Sequence, residues 1–156
     1  DAEPFQVAPN SLGCRVYREG APVQLSFFAP KDFPRLAPSE LAEDTGLPVA
    51  ALRDLAVSKL TVIQQRAEKK DYLDLHALLH QADMNLDDML LDAHRAYGNR
   101  FAPLASLQAL SYFDDGDVPS LPDGLKRDLE SAVDAVSLEH LSEQIQRQEQ
   151  EPEIEQ

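Results

Sequence analysis

After residue 50, apolar side chains recur every three or four positions through most of the chain. Leu52, Leu55, Leu60 and Ile63 begin the series and would share one face of a helix. The same spacing continues in separate segments, each of which would bury one apolar stripe against its neighbours. It predicts helices over 52–67, 70–82, 85–97, 104–113, 123–136 and 137–148, the first two packed as a pair.

The first 50 residues follow a different pattern, with alternation at a period of two. Cys14–Arg18 and Val23–Phe28 alternate on either side of Gly20–Pro22, and this arrangement predicts a β-hairpin. Ser39–Glu43 is predicted to form a single helical turn with Ser39 as its N-cap. Leu47–Ala50 is predicted to be a short strand, because a proline at its second position is compatible with a sheet edge.

Together these elements predict an α+β protein that is predominantly α-helical. We expect a strand-rich segment at residues 1–50, a domain of five or six helices at 51–148 and a disordered acidic tail at 149–156. The tail is rich in Glu, Gln and Pro and has little apolar surface to bury.

Charge and composition narrow the possible partners and the compartment. The 156 residues carry a net charge of −14; residues 101–156 have 3 Lys/Arg against 13 Asp/Glu. Such a surface repels phosphates, so nucleic-acid binding by this chain alone is not expected, whereas an acidic surface suits a protein partner. No apolar run is long enough to cross a membrane. Cys14 is the only cysteine, a pattern that favours a reducing, cytoplasmic location.

Cations and carboxylates gather where the first two predicted helices meet. Lys59 and Arg66 are seven residues apart, two helical turns, so we expect both to point the same way. Lys70 and Asp71 fall where the next helix begins, with Asp74 one turn on. A structural explanation exists, since carboxylates near a helix N-terminus offset its macrodipole and pair with nearby cations. The alternative is an active-site corner.

These residues occur in an ordered series that resembles the AbiEii/AbiGii family of nucleotidyltransferase toxins. The series begins with an Asp-x4-Lys stretch, Asp54–Lys59, continues with Arg66 and then has the run Lys-Asp-Tyr-Leu-Asp-Leu at 70–75. It resumes downstream with the segment Leu107–Asp115, which contains Tyr-Phe-Asp-Asp. The resemblance covers roughly residues 10–135, and it identifies Val23–Phe28 with the last strand of the family's catalytic sheet.

The resemblance implies Mg²⁺-dependent transfer of a nucleotide from a nucleoside triphosphate to an RNA or protein acceptor, and an antitoxin as a possible partner. Catalytic roles would fall to Asp71 and Asp74, and support of the helix to Asp54. The phosphate-binding cations would be Lys59, Arg66 and Lys70. No metal ligand is assigned within this chain.

The sequence also departs from the family pattern. None of the six glycines is followed by Ser, so the family's Gly-Ser turn is missing. The one Asp-x-Asp, Asp115-Gly-Asp117, lies after the catalytic-looking helices and is interpreted as a solvated loop. Ser26 takes the place of the family's third metal carboxylate. Since the chain starts at Asp1 without Met, we expect that an N-terminal half has been lost. Mg²⁺ and triphosphate binding are expected only with that half, so the chain should be inactive alone.

A second hypothesis is a degenerate, non-catalytic relative that docks a protein partner through its acidic helical surface. Two smaller candidates lie outside the series. His76 and His80 have a spacing that can bind zinc, but no convincing third ligand is close, Asp83 being the nearest, so solvent-facing histidines are the default interpretation. Cys14 is interpreted as a buried packing residue.

Overall fold

A computed structural model describes residues 2–29, 34–82 and 84–150. The chain divides into two compact units, residues 1–33 and 34–156, each with its own internal contacts. The first unit is a sheet and the second is mainly helical, so the α+β, predominantly helical class predicted from the sequence is confirmed.

The first unit is a three-stranded antiparallel sheet in the order β1-β2-β3, formed by Ala2–Ala8, Ser11–Arg18 and Ala21–Phe28. The predicted hairpin is β2–β3, and β1 adds a strand that the sequence pattern did not reveal. Register places Leu12 opposite Phe27 and Val16 opposite Val23. Residues two apart on a strand share a face, so one face of the sheet is apolar, and many of its large side chains are exposed.

A glycine allows close packing on the opposite face of this sheet. A Cβ at Gly13 would meet the ring of Phe5 at 2.7 Å, so the absence of a side chain lets that ring lie against the backbone. Cys14 is buried, as predicted, and Ser26 pairs with Gly13 across the ladder.

In the second unit two short strands precede the helices. Glu40–Leu41 (β4) pairs antiparallel with Pro48–Val49 (β5) through a turn in which Gly46 has φ of +65°. The prediction of a helical turn over Ser39–Glu43 is therefore wrong: the backbone hydrogen bonds go across to β5 instead of along a helix. The predicted strand at Leu47–Ala50 is confirmed.

Six helices follow, all within the described residues. They are α1 (Leu52–Val62), α2 (Lys69–His80), α3 (Leu86–Tyr97), α4 (Pro103–Leu110), α5 (Asp123–Asp134) and α6 (Leu138–Gln150). The first ends earlier than the predicted residue 67. The last runs to Gln150, and residues 151–156 of the predicted tail lie outside the described part of the chain. None of these helices combines the length and the apolar composition that a membrane crossing requires.

The helical core is built from the stripes that the periodicity predicted. Leu60, Tyr72, Leu75, Leu90 and Leu110 are all fully buried in one cluster. Burial of each such side chain contributes roughly 1.5–3 kcal/mol relative to exposure. This core fixes α1 against α2 and so determines where the polar residues at their junction lie.

The last turn of α1, which carries Lys59, is also held by polar contacts. The Leu60 carbonyl, left without an intrahelical partner near the helix end, accepts a hydrogen bond from the buried Ser106 hydroxyl of α4 at 3.0 Å. At the other end of α1, Arg53 makes two hydrogen bonds to Asp92 of α3. Both contacts join residues far apart in sequence.

Candidate functional site

The predicted corner exists at the junction of α1 and α2. Lys59 projects from the last turn of α1, and its Nζ lies 2.8 Å from Asp71 Oδ1 and 2.5 Å from Asp74 Oδ2 on α2. The two aspartates are neighbours because residues three apart lie on one face of a helix. We call Lys59, Asp71, Asp74 and Arg66 the α1–α2 ion cluster.

Arg66 joins this cluster by a route that differs from the predicted one. Because α1 ends at Val62, Arg66 lies in the connection between the helices and does not project from α1 two turns beyond Lys59. Its Nε and Nη2 lie 3.1 and 3.0 Å from Asp71 Oδ2. Both carboxylate oxygens of Asp71 are thus occupied by cations of the same chain.

Burial separates the two aspartates. The Asp71 side chain is 1% exposed, whereas that of Asp74 is 47% exposed and that of Lys59 18%. A buried carboxylate is stable only when it is paired and hydrogen-bonded. Asp71 therefore acts as the hub that fixes Lys59 and Arg66, and Asp74 is the carboxylate of the cluster that faces solvent.

Ionisation in the cluster follows from these contacts. Burial by itself would raise the pKa of Asp71, but the hydrogen bond and charge of Lys59, and then those of Arg66, outweigh it and lower the pKa. Burial by itself would lower the pKa of Lys59, but its hydrogen bonds to Asp71 and Asp74 prevail and raise it. Asp71 and Lys59 consequently stay charged around neutral pH.

Two predicted site residues lie outside the cluster. Lys70 is 64% exposed and its Nζ lies 2.6 Å from Glu68 Oε2, so it pairs locally at the start of α2. Asp54 is buried, and its Oδ1 accepts a hydrogen bond from the Leu36 backbone N–H at 2.7 Å. The contact found for Asp54 therefore anchors the segment before β4 on α1, rather than touching Lys59.

A pocket of about 350 Å³ opens beside the exposed carboxylate of the cluster. Its wall is formed by one face of α1 and one face of α2. The residues that line it are Leu52, Leu55, Asp74, Ala77, Leu78, Gln81 and Ala82. Asp74 thus connects the ion cluster to an open, largely apolar cavity.

The Asp115–Asp117 loop has a structural role that the sequence did not reveal. It is exposed, as predicted, but Asp117 Oδ1 accepts a hydrogen bond from the Lys69 backbone N–H at 2.5 Å and so caps the start of α2. Gly116 has φ of +57°, and a Cβ there would meet the Ala67 carbonyl oxygen at 2.0 Å. The loop therefore holds the N-terminus of the helix that carries Asp71 and Asp74.

The described residues do not fit a Mg²⁺ site at this corner. Magnesium requires free carboxylate oxygens in near-octahedral geometry. Both oxygens of Asp71 are bonded to cations, and Asp74 is bonded to Lys59 through Oδ2. Asp117 caps α2, and Asp115 Oδ1 accepts from the Gly116 N–H at 2.7 Å.

The pair His76 and His80 has a third potential metal ligand beside it, which comes from a distant part of the sequence. Asp128 of α5, distant in sequence, lies beside His76 and His80 of α2, while Asp83 lies outside the described residues. The expectation that no third ligand is close is therefore wrong, because the packing of α5 on α2 supplies one.

Comparison with known proteins establishes the family. Residues 12–154 match the family described as "Nucleotidyl transferase AbiEii toxin, Type IV TA system", in which TA denotes toxin–antitoxin. The chain belongs to this family. The AbiEii resemblance seen in the sequence is thereby confirmed over most of the chain.

A relative from Aquifex aeolicus (strain VF5), an uncharacterised protein, is 30% identical over 93 residues. The aligned part covers 60% of this chain and 44% of that relative, so the chain spans less than half the length of the protein it matches. None of the solved structures matches this AbiEii chain.

Proposed function

We propose that this chain is the helical part of a nucleotidyltransferase toxin, and that Lys59 is its contact with the triphosphate of the substrate. The observation that carries the proposal is the position of Lys59, held between a buried and a half-exposed carboxylate at the α1–α2 junction. The complete protein would transfer a nucleotide, as the family description suggests, and the acceptor would be an RNA or a protein.

The chemistry of the ammonium group supports this role. A lysine Nζ carries three N–H donors, and the contacts to Asp71 and Asp74 use two of them. The third is available for a phosphate oxygen, and the partly exposed side chain allows one to approach. Cations that neutralise charge on a triphosphate are a general requirement of this transfer.

The two aspartates would have separate duties. Asp71 would position Lys59 and Arg66 without touching substrate, because its buried oxygens are already occupied. Asp74, which lines the pocket, would accept the proton of the attacking hydroxyl group. Lys70 would assist with phosphate from the exposed side, after leaving Glu68.

We further propose that the reaction needs polypeptide beyond this chain, which would supply the Gly-Ser turn, the Asp-x-Asp pair and the metal ligands. Three observations support this. The sequence has no Gly-Ser pair, the chain spans 44% of its relative, and one face of the sheet exposes apolar side chains of the kind another polypeptide covers. The complete protein would work in the cytoplasm, where triphosphates are present, under control of an antitoxin.

A second function is favoured by a different observation. Lys59, Arg66 and Lys70 are each paired with a carboxylate of the same chain, as in a purely structural network. This agrees with a non-catalytic AbiEii relative that docks a partner through its acidic helical surface.

The deciding experiment uses the protein encoded by the complete gene, incubated with each labelled nucleoside triphosphate, Mg²⁺ and total RNA. We expect label to be transferred by the wild type, and kcat/KM to fall about 100- to 1,000-fold in Lys59→Ala, the effect of losing one preorganised donor. Asp74→Asn should lower kcat more than it raises KM.

The matched control is Arg147→Ala, which removes an exposed cation from α6. It should leave transfer unchanged, and far-UV circular dichroism should show that all variants are folded. Transfer that survives Lys59→Ala at the wild-type rate would refute the assignment. A folded complete protein that transfers no nucleotide, either to RNA or to protein, would refute the transferase proposal.

A further inference from the structure

A cluster of potential metal ligands lies between α2 and α5, away from the α1–α2 ion cluster. His76 and His80 are one helical turn apart, with ring centroids separated by 4.4 Å. Asp128 Oδ2 of α5 lies 3.0 Å from His76 Nε2. One ligand atom from each of the three residues lies within 4.8 Å of the other two.

This cluster faces a different side of α2 from Asp71. At 100° per residue, His76 and His80 lie roughly 140° and 180° around the helix axis from Asp71. The buried aspartate faces α1, and the histidines face α5. Nothing in the proposed transfer reaction uses the histidines, so this cluster and the reaction can be tested separately.

We propose that His76, His80 and Asp128 bind one Zn²⁺ ion. Zinc takes imidazole nitrogen and carboxylate oxygen at about 2.0–2.2 Å, so two ligands on one tetrahedral ion lie roughly 3.3 Å apart. The separations found here, 3.0 Å for His76–Asp128 and at most 4.8 Å within the cluster, need only small side-chain rotations.

The donor set selects among metals. Two imidazoles and one carboxylate suit zinc, whereas magnesium and calcium prefer oxygen ligands alone. Three protein ligands leave a fourth position for water. Because His80 and Asp128 are exposed and His76 is partly so, the ion can enter from solvent without opening of the fold.

Without metal, the His76–Asp128 contact is a hydrogen bond. The same contact lowers the pKa of the Asp128 carboxylate. Zinc displaces the proton between His76 Nε2 and Asp128 Oδ2, so binding releases a proton.

Zinc would join α2 to α5 across 52 residues of sequence. An ion that binds only the folded state stabilises it by mass action. The site would thus act as a reversible clamp on the helix whose first turns carry Asp71 and Asp74.

The test uses the 156-residue chain without an affinity tag, titrated with zinc chloride at pH 7.5 in a calorimeter. We expect one zinc per chain. His80→Ala and Asp128→Asn should each weaken binding at least tenfold. His140→Ala, which removes an exposed histidine from α6, is the matched control and should bind as the wild type does.

Cobalt gives an independent measurement, because Co²⁺ in a tetrahedral nitrogen–oxygen site absorbs visible light far more strongly than aqueous Co²⁺. Wild type and His140→Ala should show these bands, and His80→Ala should not. Zinc should raise the Tm of the wild type and leave that of His80→Ala unchanged.

Absence of stoichiometric zinc binding by the folded wild type would overturn the proposal. So would equal affinity in wild type and His80→Ala, which would reveal binding elsewhere. All variants change exposed side chains, so they are expected to fold, and circular dichroism verifies this.

Discussion

Helix α2 carries ionisable groups on two sides, and the two sides are held in different ways. Toward α1, Asp71 is 1% exposed and bonded to Lys59 and Arg66. Toward α5, Asp128 meets His76 in a contact of similar length, but its side chain is 52% exposed. Separating the groups of the first arrangement would be strongly destabilising, because it leaves a buried charge unpaired. The second can exchange its partner for a ligand at little cost to folding.

The largest expected effect comes from removing the buried carboxylate of α2. Asp71→Ala leaves Lys59 and Arg66 without their buried partner, and should reduce the free energy of unfolding by about 3–5 kcal/mol. Urea denaturation followed by circular dichroism measures this. Asp74→Asn, at the half-exposed partner, should cost less than about 1 kcal/mol. Equal losses would mean that burial does not distinguish the two aspartates.

The buried contacts of α2 should also make the free energy of unfolding depend on pH. Burial alone would raise the pKa of Asp71, but Lys59 and Arg66 lower it overall, so its stabilisation is complete above the unfolded value of about 3.9 and is lost as pH falls through the folded pKa. Lys59 has a raised pKa, the pairing with Asp71 and Asp74 overcoming burial, so its stabilisation is complete below about 10.4 and is lost as pH rises further.

The measurement is the difference in unfolding free energy between wild type and Asp71→Asn at a series of pH values. It should be constant from about pH 5 to pH 10 and shrink on the acid side. A difference that already changes between pH 6 and pH 8 would assign the dependence to histidine instead.

A smaller effect is expected where the loop 115–117 holds the start of α2. Gly116→Ala forces a side chain into positive φ and against the Ala67 carbonyl, and should cost about 1–3 kcal/mol in thermal or urea unfolding. Gly124→Ala is the matched control, because a Cβ there meets open space within α5. It should be neutral or slightly stabilising. A loss at Gly124 equal to that at Gly116 would show that loop packing is not the cause.

The smallest effect is expected on the exposed side of α2. In metal-free buffer with a chelator, Asp128→Asn should leave the urea midpoint unchanged within error, because an exposed pair contributes little. If this change unfolded the protein as strongly as Asp71→Ala, the contrast between the two sides of α2 would fail.

Whether a contact could be predicted from the sequence depends on how far apart its two residues lie along the chain. Lys59, Asp71 and Asp74 were placed together because helical spacing and a short connection bring them close. Arg66 reached the same cluster although α1 ends before it, since the connection folds back toward Asp71. Lys70 lies at the start of α2, as predicted, but it pairs with the local carboxylate of Glu68. The spacing of residues along the chain predicts which of them lie near the α1–α2 junction, but it does not predict which ion pairs they form.

Contacts between distant residues were not predictable. Arg53 with Asp92, Lys69 with Asp117 and His76 with Asp128 are separated by 39, 48 and 52 residues. The sequence predicts a solvated loop at 115–117, because nothing upstream of this Asp-x-Asp could form the family's phosphate-binding turn. Only the packing of that loop on α2 showed that one of its carboxylates caps a helix.

The sequence by itself determined the class of fold, the order of the helices, the AbiEii family and the residues at the α1–α2 corner. These follow from periodicity and ordered motifs, which are properties of neighbours in the chain. Tertiary structure alone decided that Asp71 is buried while Asp74 is open, and that Asp128 joins the two histidines. Burial and long-range pairing depend on how helices pack against one another, and the spacing of residues along the chain does not specify that packing.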